Sequence, residues 1–93
     1  MIVMIKSAPD TTDGARGVTL ARDAAADVVL LQNGVYFAQK EKLGTFPGTV
    51  YVLDDDKRLR GLKDSECDAR VKTIDYDRLT DLITENDKVV GLF

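Results

Sequence analysis

The chain predicts a single three-layer α/β/α domain built on about five mainly parallel strands, and three observations carry that expectation. Two unbroken aliphatic runs, Ile2-Val3-Met4-Ile5 and Val28-Val29-Leu30-Leu31, leave no polar face for water, so strands made of them must be covered on both sides. A third run, Thr49-Val50-Tyr51-Val52-Leu53, is β-branched and aromatic, the composition of a strand. Stretches of helical period separate these runs, and strands alternating with helices form layered α/β domains. Ninety-three residues suit one domain, spanning 1–93, with no linker, repeat or low-complexity segment.

Taken in order, Ile2-Ile5 is the first strand, and Pro9 with Asp10-Thr11-Thr12-Asp13 forms a loop rich in candidate N-caps. From Gly14 to Ala26 the apolar positions Val18, Ala21 and Ala25 share one face, with Arg16, Arg22 and Asp23 on the other, which predicts an amphipathic first helix. Val28-Leu31 is the central strand, and it stops at Gln32-Asn33-Gly34. Asn-Gly between two apolar runs is also the strongest hairpin signal, because both residues tolerate positive φ. Val35-Tyr36-Phe37-Ala38 does not alternate, however, and Gln39-Lys40-Glu41-Lys42 favours helix, so strand-turn-helix is the preferred reading.

Leu43 to Gly48 is a loop, and Thr49-Leu53 the third strand. In Asp54 to Gly61 the acids precede the bases and glycine follows, the charge order a helix dipole prefers; Asp54 reads as N-cap and Gly61 as the left-handed stop. Lys63 to Arg70 is a charged, solvated loop. Val71-Ile74 alternates as a fourth strand with one exposed side. Asp75 caps a helix from Tyr76 to about Thr84, whose Tyr76, Leu79, Leu82 and Ile83 share a face; Asn86 closes it, and Lys88 to Phe93 is the last strand.

The totals remove whole classes of function. Thirteen basic against sixteen acidic residues give net charge −3, with no basic run longer than Lys57-Arg58, so direct nucleic-acid binding is not expected. No apolar run approaches the roughly 20 residues that cross a bilayer, and the start lacks a signal peptide's basic region and cleavage site, so the chain reads as cytosolic and soluble, without membrane contact. There is no histidine, which removes the commonest general base and metal ligand. One cysteine, Cys67, permits no internal disulfide, no CxxC pair and no Cys/His zinc site. No metal or cofactor is expected, and an accessory subunit is favoured over an enzyme.

Asp54-Asp55-Asp56 at the end of the third strand invites comparison with the magnesium-binding aspartates of response-regulator receivers. Such a site also needs an acidic pair after the first strand, where Lys6-Ser7-Ala8-Pro9 stands, so capping and solvation are the better account. Gln32-Asn33-Gly34 offers backbone N–H groups at a helix start, able to hold an anion or a persulfide-like group or simply to form a tight turn. Cys67 is the one candidate nucleophile, but Asp64, Glu66 and Asp68 around it disfavour the thiolate. Tyr36, Phe37 and Phe46 near the central turn suggest an apolar patch, and hence an oligomer.

Three segments in order, VVLLQNGVYFA, VYVLDDDKRLRGL and TIDYDRLTDLITENDKVVGLF, resemble the DsrH/TusB family of small sulfur-relay subunits. That family shows LLLxDGVxxA-like, VYxLxxDxxARG-like and IDYxxFVxLT-like segments at similar spacing, and the match runs roughly from Val28 to Phe93. The resemblance implies a DsrE/F/H-like fold and an assembly-forming subunit that pairs with homologous DsrE/TusD-like and DsrF/TusC-like chains or with itself as a homodimer. It implies a relay of persulfide sulfur, towards tRNA wobble-uridine 2-thiolation or sulfur oxidation. The motif positions Gln32, Asn33, Gly34, Tyr36, Phe37, Asp54, Arg60 and Gly61 become the candidates for an interface or anion site. The family's sulfur-carrying cysteines do not carry over. The DsrE-like position at the end of the third strand is Leu53-Asp54 here, and the first-helix position of some DsrH members is Val18-Thr19. A persulfide-carrying sulfurtransferase using Cys67 is the alternative to the non-catalytic subunit.

Overall fold

Each aliphatic run becomes a strand of one sheet. In the computed structural model, which describes residues 1–91 and 93, β1 (Ile2–Ile5), β2 (Asp27–Leu30), β3 (Val50–Leu53), β4 (Lys72–Ile74) and β5 (Val89–Val90) lie in the order β4-β3-β2-β1-β5. All four neighbouring pairs are parallel, with Val3 beside Val28 and Val28 beside Val50. Parallel neighbours require crossovers. These are α1 (Thr12–Asp23), a 3-10 helix (Gln32–Ala38), α2 (Asp54–Leu59) with a 3-10 turn (Asp64–Glu66), and α3 (Tyr76–Glu85). The hairpin alternative is not formed, because β2 pairs with β1 and β3 while Val35 to Ala38 coils into the 3-10 helix.

The two sheet faces are covered unequally. Val3, Ile5, Val28, Leu30, Val50 and Val52 face α1, the 3-10 helix and Leu62, in a core that takes in Val35, Phe37 and Phe46. Among the described residues the other face offers Ile2, Val29 and Ile74 to the buried Leu82 of α3, with Met4, Leu31, Tyr51 and Leu79 half-buried around them. Each fully buried Val, Leu or Ile contributes about 1.5–3 kcal/mol, so the first face holds most of the apolar stabilisation.

Several expectations need correction. α1 starts at Thr12 behind the Thr11 cap, whose Oγ1 accepts from Gly14 N–H at 3.1 Å, and it ends at Asp23. Ala25 therefore lies beyond the helix, exposed with φ +53, while Gly14 and Gly17 share the buried face with Val18 and Ala21. The second helix stops at Ala38. Gln39 leaves it to bridge Cys67, and Glu41 takes φ +70, so Gln39 to Lys42 is a turn rather than helix. Phe37 and Phe46 are 5% and 4% exposed and form core, not an apolar patch. Among the described residues the exposed large apolar side chains are Leu59, Tyr76 and Ile83. Asp54 is the first residue of α2 and not its cap, which is Leu53; Gly61 does take the left-handed stop, at φ +66. Within the expected last strand, Leu92 lies outside the described residues.

Candidate functional site

The first two motif segments meet at the carboxyl edge of β2 and β3, the side of an α/β sheet where sites form. Leu31 N–H continues the ladder to Ile5 O at 2.9 Å, and Gln32 then takes φ +48, turning the chain into the 3-10 helix. Gly34 is needed for a different reason from the expected turn: a Cβ there would stand 2.1 Å from Ile5 O. Its N–H donates to Lys6 O at 3.1 Å and Leu31 O at 2.8 Å, docking the helix start on the end of β1.

α2 closes over this turn. Gln32 N–H donates to Asp56 Oδ2 at 2.7 Å, Arg60 Nε donates to Asn33 Oδ1 at 2.9 Å, and Arg60 Nη1 donates to the Asp56 carbonyl at 3.2 Å. The structure thus links Gln32 through Asp56, which the sequence offered only as one of three aspartates, to Arg60 and Asn33, while Gly34 docks on β1 instead. Two of the N–H groups considered for an anion, those of Gln32 and Gly34, already donate within the chain. The three aspartates diverge: Asp56 holds Gln32, while Asp54 and Asp55 engage Arg58 at 3.1 and 3.5 Å. Those exposed pairs are worth about 0–1 kcal/mol each. Phe37 belongs to the core, Gly61 lies beyond α2, and half-buried Tyr36 lines an open depression with Ala8, Pro9, Gln39 and Lys42 beside the end of β1.

Cys67 lies elsewhere, in the connection from α2 to β4. It is half-buried against the first core, with its Sγ donating to Lys63 O at 3.5 Å, and its segment is pinned by Asp68 N–H to Ala38 O at 2.8 Å and Lys40 N–H to Glu66 O at 3.1 Å. Burial pushes its thiol pKa up; Lys57 pulls the other way, and Asp64 and Glu66 add to the rise. Lys57 was legible only as a charge in the last turn of a helix. It is 4% exposed, its Nζ held by Asp64 and by Thr73 Oγ1 at 3.3 Å. The one available signal was its spacing, one helical turn after buried Leu53. Lys63 and Arg70, the bases nearest Cys67 in sequence, do not shift its pKa. Arg70 instead grips Asp68 at 3.1 Å and Gly44 O at 2.7 Å, holding the Asp68 carboxyl below its ordinary range. This clamp rims a cavity of about 190 Å³ lined by Phe37, Leu43, Phe46 and Val50.

Comparison with known proteins agrees with this fold. The family model described as DsrH like protein matches residues 9–89. The solution NMR structure of protein Tm0979 from Thermotoga maritima is similar over 98% of this chain and 100% of that one, at 29% identity and TM-score 0.68. The crystal structure of the ychN protein from E. coli shares the fold at TM-score 0.82 and 14% identity, over 98% and 97% of the two chains. No curated protein gives a sequence match.

Proposed function

The chain belongs to the DsrH-like family, and from that membership we propose that it is a non-catalytic, assembly-forming subunit of a sulfur-relay complex. It supplies surface and scaffolding while the sulfur-carrying thiol lies on a homologous DsrE/TusD-like or DsrF/TusC-like chain, and the complex works in the cytoplasm on 2-thiolation of the tRNA wobble uridine. The observation that carries the non-catalytic part is the state of the only thiol. A persulfide carrier needs its thiolate populated near neutral pH, whereas Cys67 is half-buried, donates to a carbonyl and has its pKa raised. The regions where the resemblance would place reactive cysteines support the same reading, since Val18-Thr19 and Leu53-Asp54 offer no thiol there. Net charge −3 supports a subunit that leaves the tRNA phosphates to its partners.

Lys57 is the observation on the other side, since its charge stabilises a thiolate at Cys67 and favours a sulfurtransferase that uses this cysteine. One experiment separates the two. The protein is loaded with sulfur by a cysteine desulfurase and weighed, then assembled with its partner chains and assayed for tRNA thiolation, as wild type and as Cys67→Ser. The scaffold reading expects no stable added sulfur and full activity of the variant. A gain of one sulfur atom that the variant loses, together with loss of thiolation, would establish the sulfurtransferase instead.

A further inference from the structure

Among the described residues, the second face of the sheet is covered by one ten-residue helix that leaves Met4, Leu31 and Tyr51 half-buried. Of the apolar side chains of α3 only Leu82 is buried; Leu79 is half-buried, while Tyr76 and Ile83 are 55% and 39% exposed. Tyr76 and Ile83 stand two helical turns apart on one flank of α3. Together with half-buried Leu79 and the half-buried Met4, Leu31 and Tyr51 beneath the helix, they leave apolar surface on this face that a partner can cover. The surroundings say of what kind. Between Asp75 and Lys88 there are five acids and two bases, so this segment alone carries the whole chain's net charge of −3. One of the two bases, Arg78, is paired with Glu85 at 3.4 Å.

We infer that the Tyr76-Ile83 flank of α3 is a docking surface for a different protein chain whose apolar centre is rimmed by Lys and Arg. The occupant is not a second copy, because α3 against α3 sets acidic rim on acidic rim, and like charges across an interface oppose pairing. Basic rim residues on the partner meet Asp77 and Asp81 and steer its approach, while Tyr76 enters its apolar centre, as aromatic anchors do.

This inference rests on the relay reading, and the test keeps the two apart. DsrE-like and DsrF-like chains from the same source are titrated with wild type, Ile83→Lys and Asp77→Lys/Asp81→Lys. The altered side chains are exposed, and circular dichroism checks that each variant is folded. The expected result is at least tenfold weaker binding for both variants, with the charge variant's deficit shrinking at high salt. Equal binding by all three overturns the docking surface and leaves the relay reading standing. No complex even with wild type overturns both. Light scattering that shows the isolated chain pairing, with Ile83→Lys breaking the pair, overturns the inference in favour of a second copy.

Discussion

Replacing Gly34 with alanine tests the contact that joins β1 to the motif turn. The new Cβ would lie 2.1 Å from Ile5 O, where Cβ atoms keep at least 3.0 Å, so the helix start and β1 must part by about 0.9 Å. Both atoms belong to, or are fixed by, backbone, and no side chain can swing away to relieve them. The separation strains two bonds, Gly34 N–H to Lys6 O and Leu31 N–H to Ile5 O. Weakening those bonds and overpacking the contact together cost about 2–5 kcal/mol, against a total stability of about 5–15 kcal/mol. For a domain of this size the melting temperature falls by at least about 10 °C. Gly61→Ala is the control: nothing lies within 4 Å of its Cβ, so only the left-handed backbone at φ +66 resists, costing about 1–2 kcal/mol. Urea and thermal unfolding followed by circular dichroism measure both variants. A Gly34→Ala protein within about 0.5 kcal/mol of wild type would falsify the close-approach argument.

Three further outcomes follow from the same contacts. Asp56→Ala removes the acceptor of Gln32 N–H and loosens the tie between α2 and the 3-10 helix, at about 1–2 kcal/mol in urea unfolding; a change confined to α2's own amide exchange would refute the tie. Lys57 and Asp64 should respond unequally. Asp64→Ala strands a buried ammonium and costs about 1–3 kcal/mol, whereas Lys57→Met leaves behind an aspartate whose side chain is already 91% exposed and stays within about 1 kcal/mol; equal losses would contradict the burial difference. Because the Cys67 pKa is raised in the folded state, its contribution to stability is fully present below its ordinary value of 9.0 and is lost as pH rises through the higher folded value. The alkaline fall in stability should therefore be shallower in Cys67→Ser, and iodoacetamide should modify the native thiol with a midpoint above pH 9.0 that Asp64→Asn lowers.

Much of this protein was legible because burial writes itself into short apolar runs. Ile2-Ile5, Val28-Leu31 and Val50-Leu53 have no polar face, so strands covered on both sides were the only outcome that hides them, and Asp75 announced α3 by offering a carboxylate to Arg78 N–H, a bond of 2.8 Å. The three motif segments likewise identified the family before any geometry was known. Other features depend on neighbours that are distant along the chain. Phe37 and Phe46 could not be told from surface aromatics until β2 and β3 placed a core beneath them, and Ala25 matched a helical period that the chain had already left. Lys57 was legible only as a charge near the end of a helix because its partners, Asp64 and Thr73, arrive seven and sixteen residues later. At the motif turn, residue types alone said that the backbone bends. Only the packing of β1 and α2 determined that Gly34 is needed for its missing Cβ and that Asp56, 24 residues on, occupies the free amide of Gln32. Local sequence encodes what each segment must hide, but the tertiary fold decides which segment hides it and so which polar groups remain free to act.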